Sequence, residues 1–108
     1  MRRFIALELS LDLISAVREP LGRIRCKDRH LADQLLRAAT STSLNLGEGS
    51  GRRGADRIWC YRIAAGSAEE SRVALRVALA AGYVAAADVA RAVDLNEQLV
   101  RILAALTR

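Results

Sequence analysis

Arg52, Arg53 and Arg57 close and follow a glycine-rich run, GEGSGRRG at 47–54, and are the residues best placed to hold a ligand. Backbone amides freed by glycine, set beside guanidinium groups at the start of a helix, suit a phosphate. The run is not a P-loop, since it lacks the Gly-Lys-Ser/Thr ending and follows a helical pattern rather than a strand. A structural reading stands beside this one, in which the same side chains cap helix ends and staple the loop. A carboxylate in the last turn of a helix opposes the helix dipole, so Glu48 needs a partner such as Arg52, Arg53 or a loop amide.

Simple hairpin arithmetic links this end to a second polar set. If one helix ends near Glu48 and the next begins near Ala55, antiparallel packing puts Arg37 about level with Gly66. Glu70 then lies roughly one turn further on. The spacing predicts an Arg37–Glu70 pair across the interface, with Gly66 and Ser67 small enough for the long side chains to cross. Arg37, Asn45, Glu48, Ser67 and Glu70 are therefore assigned to a structural polar network. Arg52, Arg53 and Arg57 are assigned to nucleic-acid contact through phosphates.

Little else in the chain suits catalysis. His30 is the only histidine, and Cys26 and Cys60 are far apart with no CxxC between them. A metal site needs clustered ligands, and a nucleophile needs a base within reach, so no metal, cofactor or enzymatic activity is expected. The two cysteines read as reduced thiols of a cytoplasmic protein. The formal net charge is +5, and Lys27 is the sole lysine among many arginines. That balance attracts polyanions. Two further basic groups are Arg23, Arg25, Lys27 and Arg29, then Arg62, Arg72 and Arg76; solvated helix faces also look like this. Trp59 and Tyr61 point to different faces of one helix, Tyr61 toward the core and Trp59 toward a helix or subunit contact.

The elements that position these residues read as all-α. The chain has 108 residues, 52% of them apolar, with Pro20 the single proline. That is one domain, 1–108, with few of the residues that favour strands. Phe4, Leu7, Leu11, Ile14, Val17, Leu21 and Ile24 step by three or four along a first helix that Pro20 should kink or end. RIRCKDRH then connects to a second helix, with Asp28 as its N-cap. That helix places Leu31, Leu35, Ala38, Thr42 and Leu46 inward, and the glycines of 47–54 end it through positive-φ positions. A third helix runs from about Ala55 to Ala81 with Gly82 at its C-cap. A fourth carries Val89, Ala92, Asn96, Leu99, Leu103 and Leu106. Short loops between four amphipathic helices predict an antiparallel up-down four-helix bundle. No apolar run approaches a bilayer span, and Glu8 and Asp12 break any signal-peptide core behind the basic opening, MRR.

The order Q-x-x-R-A-A-x-S-x-x-x-N-x-x-E-G-x-x-R, then I-A-x-G-S-x-x-E, resembles the 23S rRNA intervening-sequence proteins, a bacterial four-helix-bundle family. The matching residues are Gln34, Arg37, Ala38, Ala39, Ser41, Asn45, Glu48, Gly49 and Arg52, then Ile63, Ala64, Gly66, Ser67 and Glu70. Ser71 stands where the family usually carries leucine, and Gly47 where it usually carries alanine. The first helix diverges from the usual opening. The family is similar in fold to the accessory protein of diversity-generating retroelements, a pentamer that binds nucleic acid and partners a reverse transcriptase. The resemblance thus implies a homo-oligomer, with a pentamer as the suggested stoichiometry. It implies nucleic acid, RNA first, as ligand; the alternative is an oligomeric adaptor for a protein partner such as a reverse transcriptase.

Overall fold

The apolar spacing of three and four residues is realised as four long helices: α1 (Ile5–Lys27), α2 (Arg29–Ser50), α3 (Gly54–Ala80) and α4 (Ala86–Leu106). This computed structural model describes residues 4–108. The basic opening, Met1 to Arg3, lies outside the described residues. Each helix packs on its neighbours in sequence, and α1 also packs on α4, so the ring closes as an antiparallel up-down four-helix bundle. Among the described residues no helix is long and apolar enough to cross a membrane.

Local chemistry fixes the ends. Asp28 is the whole α1–α2 connection; its Oδ1 accepts from the Leu31 amide at 2.9 Å while its own amide donates to the Ile24 carbonyl at 2.7 Å. The expected eight-residue connection is thereby corrected. Pro20 neither ends α1 nor starts a loop, because it is buried and the turns beyond it bury Leu21 and Ile24. That burial outweighs the one hydrogen bond proline removes. At the α3 end Gly82 takes φ 75°, its amide donating to Leu79 and that of Tyr83 to Ala78, so the orphan carbonyls are satisfied. Asp88 accepts from the Ala85 amide at 2.8 Å and starts α4.

The core is a leucine- and alanine-lined interior, with Leu13, Leu35, Leu46, Leu75, Leu99 and Leu103 fully buried. The inward face of α1 differs from the expected one. Ala6, Ser10, Leu13 and Val17 are buried, Phe4, Leu7 and Ile14 only half so, and Leu11 is 46% exposed. The reason is Ser10: Ser43 of α2 donates to its hydroxyl at 2.9 Å, and it donates in turn to the Leu7 carbonyl at 2.7 Å. A small, hydrogen-bonded serine turns that face of α1 inward. On the other side of the bundle Asn96 donates to the Ala68 carbonyl at 3.1 Å, tying α4 to α3.

Candidate functional site

The turn between α2 and α3 is built by a close approach rather than by left-handed backbone. Gly47 and Gly49 lie inside α2, and Gly51 has φ −90°; in this run only Gly54 takes positive φ, at 58°. A Cβ on Gly49 would sit 2.6 Å from Tyr61 Cε1 and 3.0 Å from the Cys60 Cβ. Glycine there lets α3 press against α2, with Tyr61 buried and its ring 5.8 Å from that of Phe4. The expectation that several left-handed glycines stop α2 is corrected accordingly.

The three arginines at this end are not equivalent. Arg52 Nη2 donates to Glu48 Oε1 at 2.5 Å, one turn back. That bond, and then the carboxylate's charge, raise the Arg52 pKa above its ordinary value. Arg57 reaches across the turn and donates to the Gly49 carbonyl at 3.2 Å and to the Ser50 carbonyl at 3.4 Å. It caps the last carbonyls of α2, where a cation is favoured by the helix dipole. Arg53 occupies the N-cap position of α3, caps nothing with its side chain and is exposed and unpaired. The first amides of α3 find no capping acceptor in Arg53 and lie beside its free guanidinium, a pairing that suits an anion, while the Asp56 carboxylate in the same turn opposes one.

The second polar set divides. Ser67 and Ser41 share a hydrogen bond of 2.8 Å across the α2–α3 interface, and Asn45 Nδ2 donates to the Ser41 carbonyl at 2.9 Å. Ser41 is the member that sequence reasoning missed as a link. A serine two turns from the loop carries no distinct signal until the register is known. That register places Ser41, not Arg37, near the level of Ser67, about one turn off the hairpin arithmetic, because Gly49 packs under Tyr61. The predicted Arg37–Glu70 clasp does not form. Both residues are exposed and neither has an ion-pair partner. Arg37 borders the outer face of α2 with Leu36, Thr40 and Leu44, whereas Glu70 borders the groove between α2 and α3.

Elsewhere the basic residues are partly spent. At the opposite end Arg25 pairs with Asp33 at 2.6 Å and Arg23 lies 3.6 Å from Asp88, while Lys27 and Arg29 have no ion-pair partner. Arg72 Nε lies 2.9 Å from Glu97 Oε1 on α4, a charge contact without hydrogen-bond alignment. Arg62 and Arg76 are exposed and unpaired. Cys26 is exposed and Cys60 buried, both as free thiols, and no metal-binding group of three or more His, Cys, Asp or Glu occurs among the described residues. Trp59 is 65% exposed on the outer face of α3.

The family model for 23S rRNA-intervening sequence proteins matches residues 3–105, all but the extreme ends. In three dimensions the chain is similar to a protein of unknown function from the S23 ribosomal protein family of Bacteroides thetaiotaomicron. The TM-score is 0.85 at 18% identity, over 95% of this chain and 98% of that one. At that identity the likeness concerns the fold alone. No curated protein matches the chain. With the bundle, the glycine-set turn and the Ser41–Ser67–Asn45 link in place, the match over nearly the whole length decides the matter: the chain belongs to the 23S rRNA-intervening sequence protein family.

Proposed function

We propose that this protein is a non-catalytic, self-associating bundle that binds nucleic acid, RNA first, largely through phosphate contacts at the α2–α3 turn. The observation that carries the reading is Arg53, a free guanidinium beside the uncapped amides of α3. Arg57, held across the turn by two carbonyls, extends the positive surface, and Arg52 adds to it from its pair with Glu48. The net charge of +5 draws a polyanion toward it. The family takes its name from sequences inserted in 23S rRNA, which puts RNA ahead of other polyanions. Such contacts read charge and not sequence, so RNA and duplex DNA should both bind.

The test is fluorescence anisotropy with labelled structured RNA and duplex DNA at low salt. Arg53→Glu should weaken binding to both by at least about tenfold, as the loss of a charge-assisted contact and its replacement by a repulsive one require. Its thermal melt should not move, since the side chain is exposed and makes no hydrogen bond or ion pair. Failure of the wild-type protein to bind either ligand would overturn the reading. A second reading, an oligomeric adaptor for a protein partner such as a reverse transcriptase, draws on the exposed apolar residues Trp59, Ile63, Val73 and Val77 of α3. Capture of such an enzyme by a protein that ignores RNA would favour it.

A further inference from the structure

A phosphate ligand needs a fixed position and an unmatched charge together, and the three arginines of the α2–α3 turn differ in both. Arg52 is fixed, but by the Glu48 carboxylate, which answers its charge. Arg53 is unmatched, but nothing holds its side chain. Arg57 has both properties. Its Nε donates to the Gly49 carbonyl at 3.2 Å and its Nη2 to the Ser50 carbonyl at 3.4 Å, and among the described residues no carboxylate pairs with it. Carbonyl dipoles orient a cation without cancelling it. Ordering a long, rotamer-rich side chain opposes binding, and at Arg57 folding has already done that ordering.

Guanidinium geometry says what is left over. The group is planar, with its N–H bonds in a rigid fork, and Nε and Nη2 lie along one edge. That edge faces the last carbonyls of α2. The Gly49 carbonyl also accepts from the Arg52 amide at 3.0 Å, so the acceptor is itself held by the backbone of the turn. The neighbouring edge, Nη1 with the outer N–H of Nη2, makes no hydrogen bond inside the chain, and Arg57 is exposed, so a ligand can reach it. Two parallel N–H bonds on such an edge match the two non-bridging oxygens of a phosphodiester.

We infer that Arg57 orients the phosphodiester at this turn, one edge of its guanidinium clamped to α2 and the other forked onto a single backbone phosphate. The inference rests on the phosphate contact in the proposed function and assigns its geometry. Arg53 then supplies attraction without direction. Lysine separates the two contributions, since it keeps the charge and loses the fork. At position 53 the charge is what counts, so little is lost. At position 57 an ammonium that turns to the carbonyls has no second edge to offer.

Anisotropy titrations of labelled structured RNA with the full chain, Arg57→Lys and Arg53→Lys test this. At low salt Arg57→Lys should weaken binding at least about fivefold and Arg53→Lys by less than about twofold. All three salt slopes should agree, because no charge is removed. In nitrogen–proton spectra of the free protein the Arg57 Nε–H signal should already be visible, sheltered by its bond to Gly49, and should shift when RNA is added. Equal losses for the two variants, or an Arg57 signal that bound RNA leaves in place, would overturn the orienting role and leave phosphate contact standing. A wild-type protein that binds no RNA would overturn both.

Discussion

Polar side chains inside the bundle were only partly legible, because hydrogen bonding depends on register and register is set elsewhere. Asn45 and Ser67 stand out in the sequence as polar residues on apolar faces, and they do belong to one network, through Ser41. Arg37 and Glu70 carry opposite charges at a plausible spacing, yet they form no ion pair and line different surface grooves. Ser71 is the informative departure. It is fully buried with no partner for its hydroxyl, at a position where the family usually carries leucine. A buried donor left unmade costs about 1–3 kcal/mol, so Ser71→Ala should raise stability by about 1 kcal/mol. Denaturant unfolding reads this directly: the midpoint should rise with an unchanged slope. An equal or lower midpoint would mean the hydroxyl has a partner after all, such as a buried water.

At the level of elements, periodicity identified four helices and their order, since long amphipathic patterns leave few alternatives. It misjudged two breakers for the same reason, that packing overrides local preference. Pro20 lies within α1 because Leu21 and Ile24 are buried beyond it. Gly47 and Gly49 both lie within α2, and it is Gly49 that serves a close approach, to Tyr61, rather than a stop. Gly49, in the last turn of α2, and Gly66, in the middle of α3, separate by what a methyl group would meet. Gly49→Ala drives a Cβ into the Tyr61 ring and should cost about 1–3 kcal/mol through overpacking. Gly66→Ala meets open space and should stabilise the monomer by up to about 1 kcal/mol through helix propensity alone. Thermal melts of the two variants should move in opposite directions. Shifts of the same sign would place the close approach elsewhere.

For the whole molecule, charge is the property that sequence showed in amount but not in distribution. Seventeen basic residues outnumber twelve acidic ones, and among the described residues Arg23, Arg25, Arg52 and Arg72 are matched by carboxylates at short range. The unpaired ones are scattered: Arg53 at the α2–α3 turn, Lys27 and Arg29 at the opposite end, Arg18 on α1, Arg37 on α2, Arg62 and Arg76 along α3, Arg91 and Arg101 along α4, and Arg108 beyond it. No single patch on one chain is strong, so the proposed self-association, which would multiply each patch, bears directly on the proposed binding. Fold class followed from pattern because every helix must bury one face. The proposed ligand surface did not, because free and paired arginines look alike in a sequence.

Phosphate contact carries the proposed function, and the salt dependence of RNA affinity tests it. Anisotropy titrations between about 50 and 200 mM salt should give log affinity falling linearly with log salt, with a slope of about −2 to −4 for a few arginine–phosphate contacts. Arg53→Glu should flatten that slope by about one contact. A slope near zero, or no RNA binding at the lowest salt, would contradict phosphate contact and turn attention to a protein partner on α3.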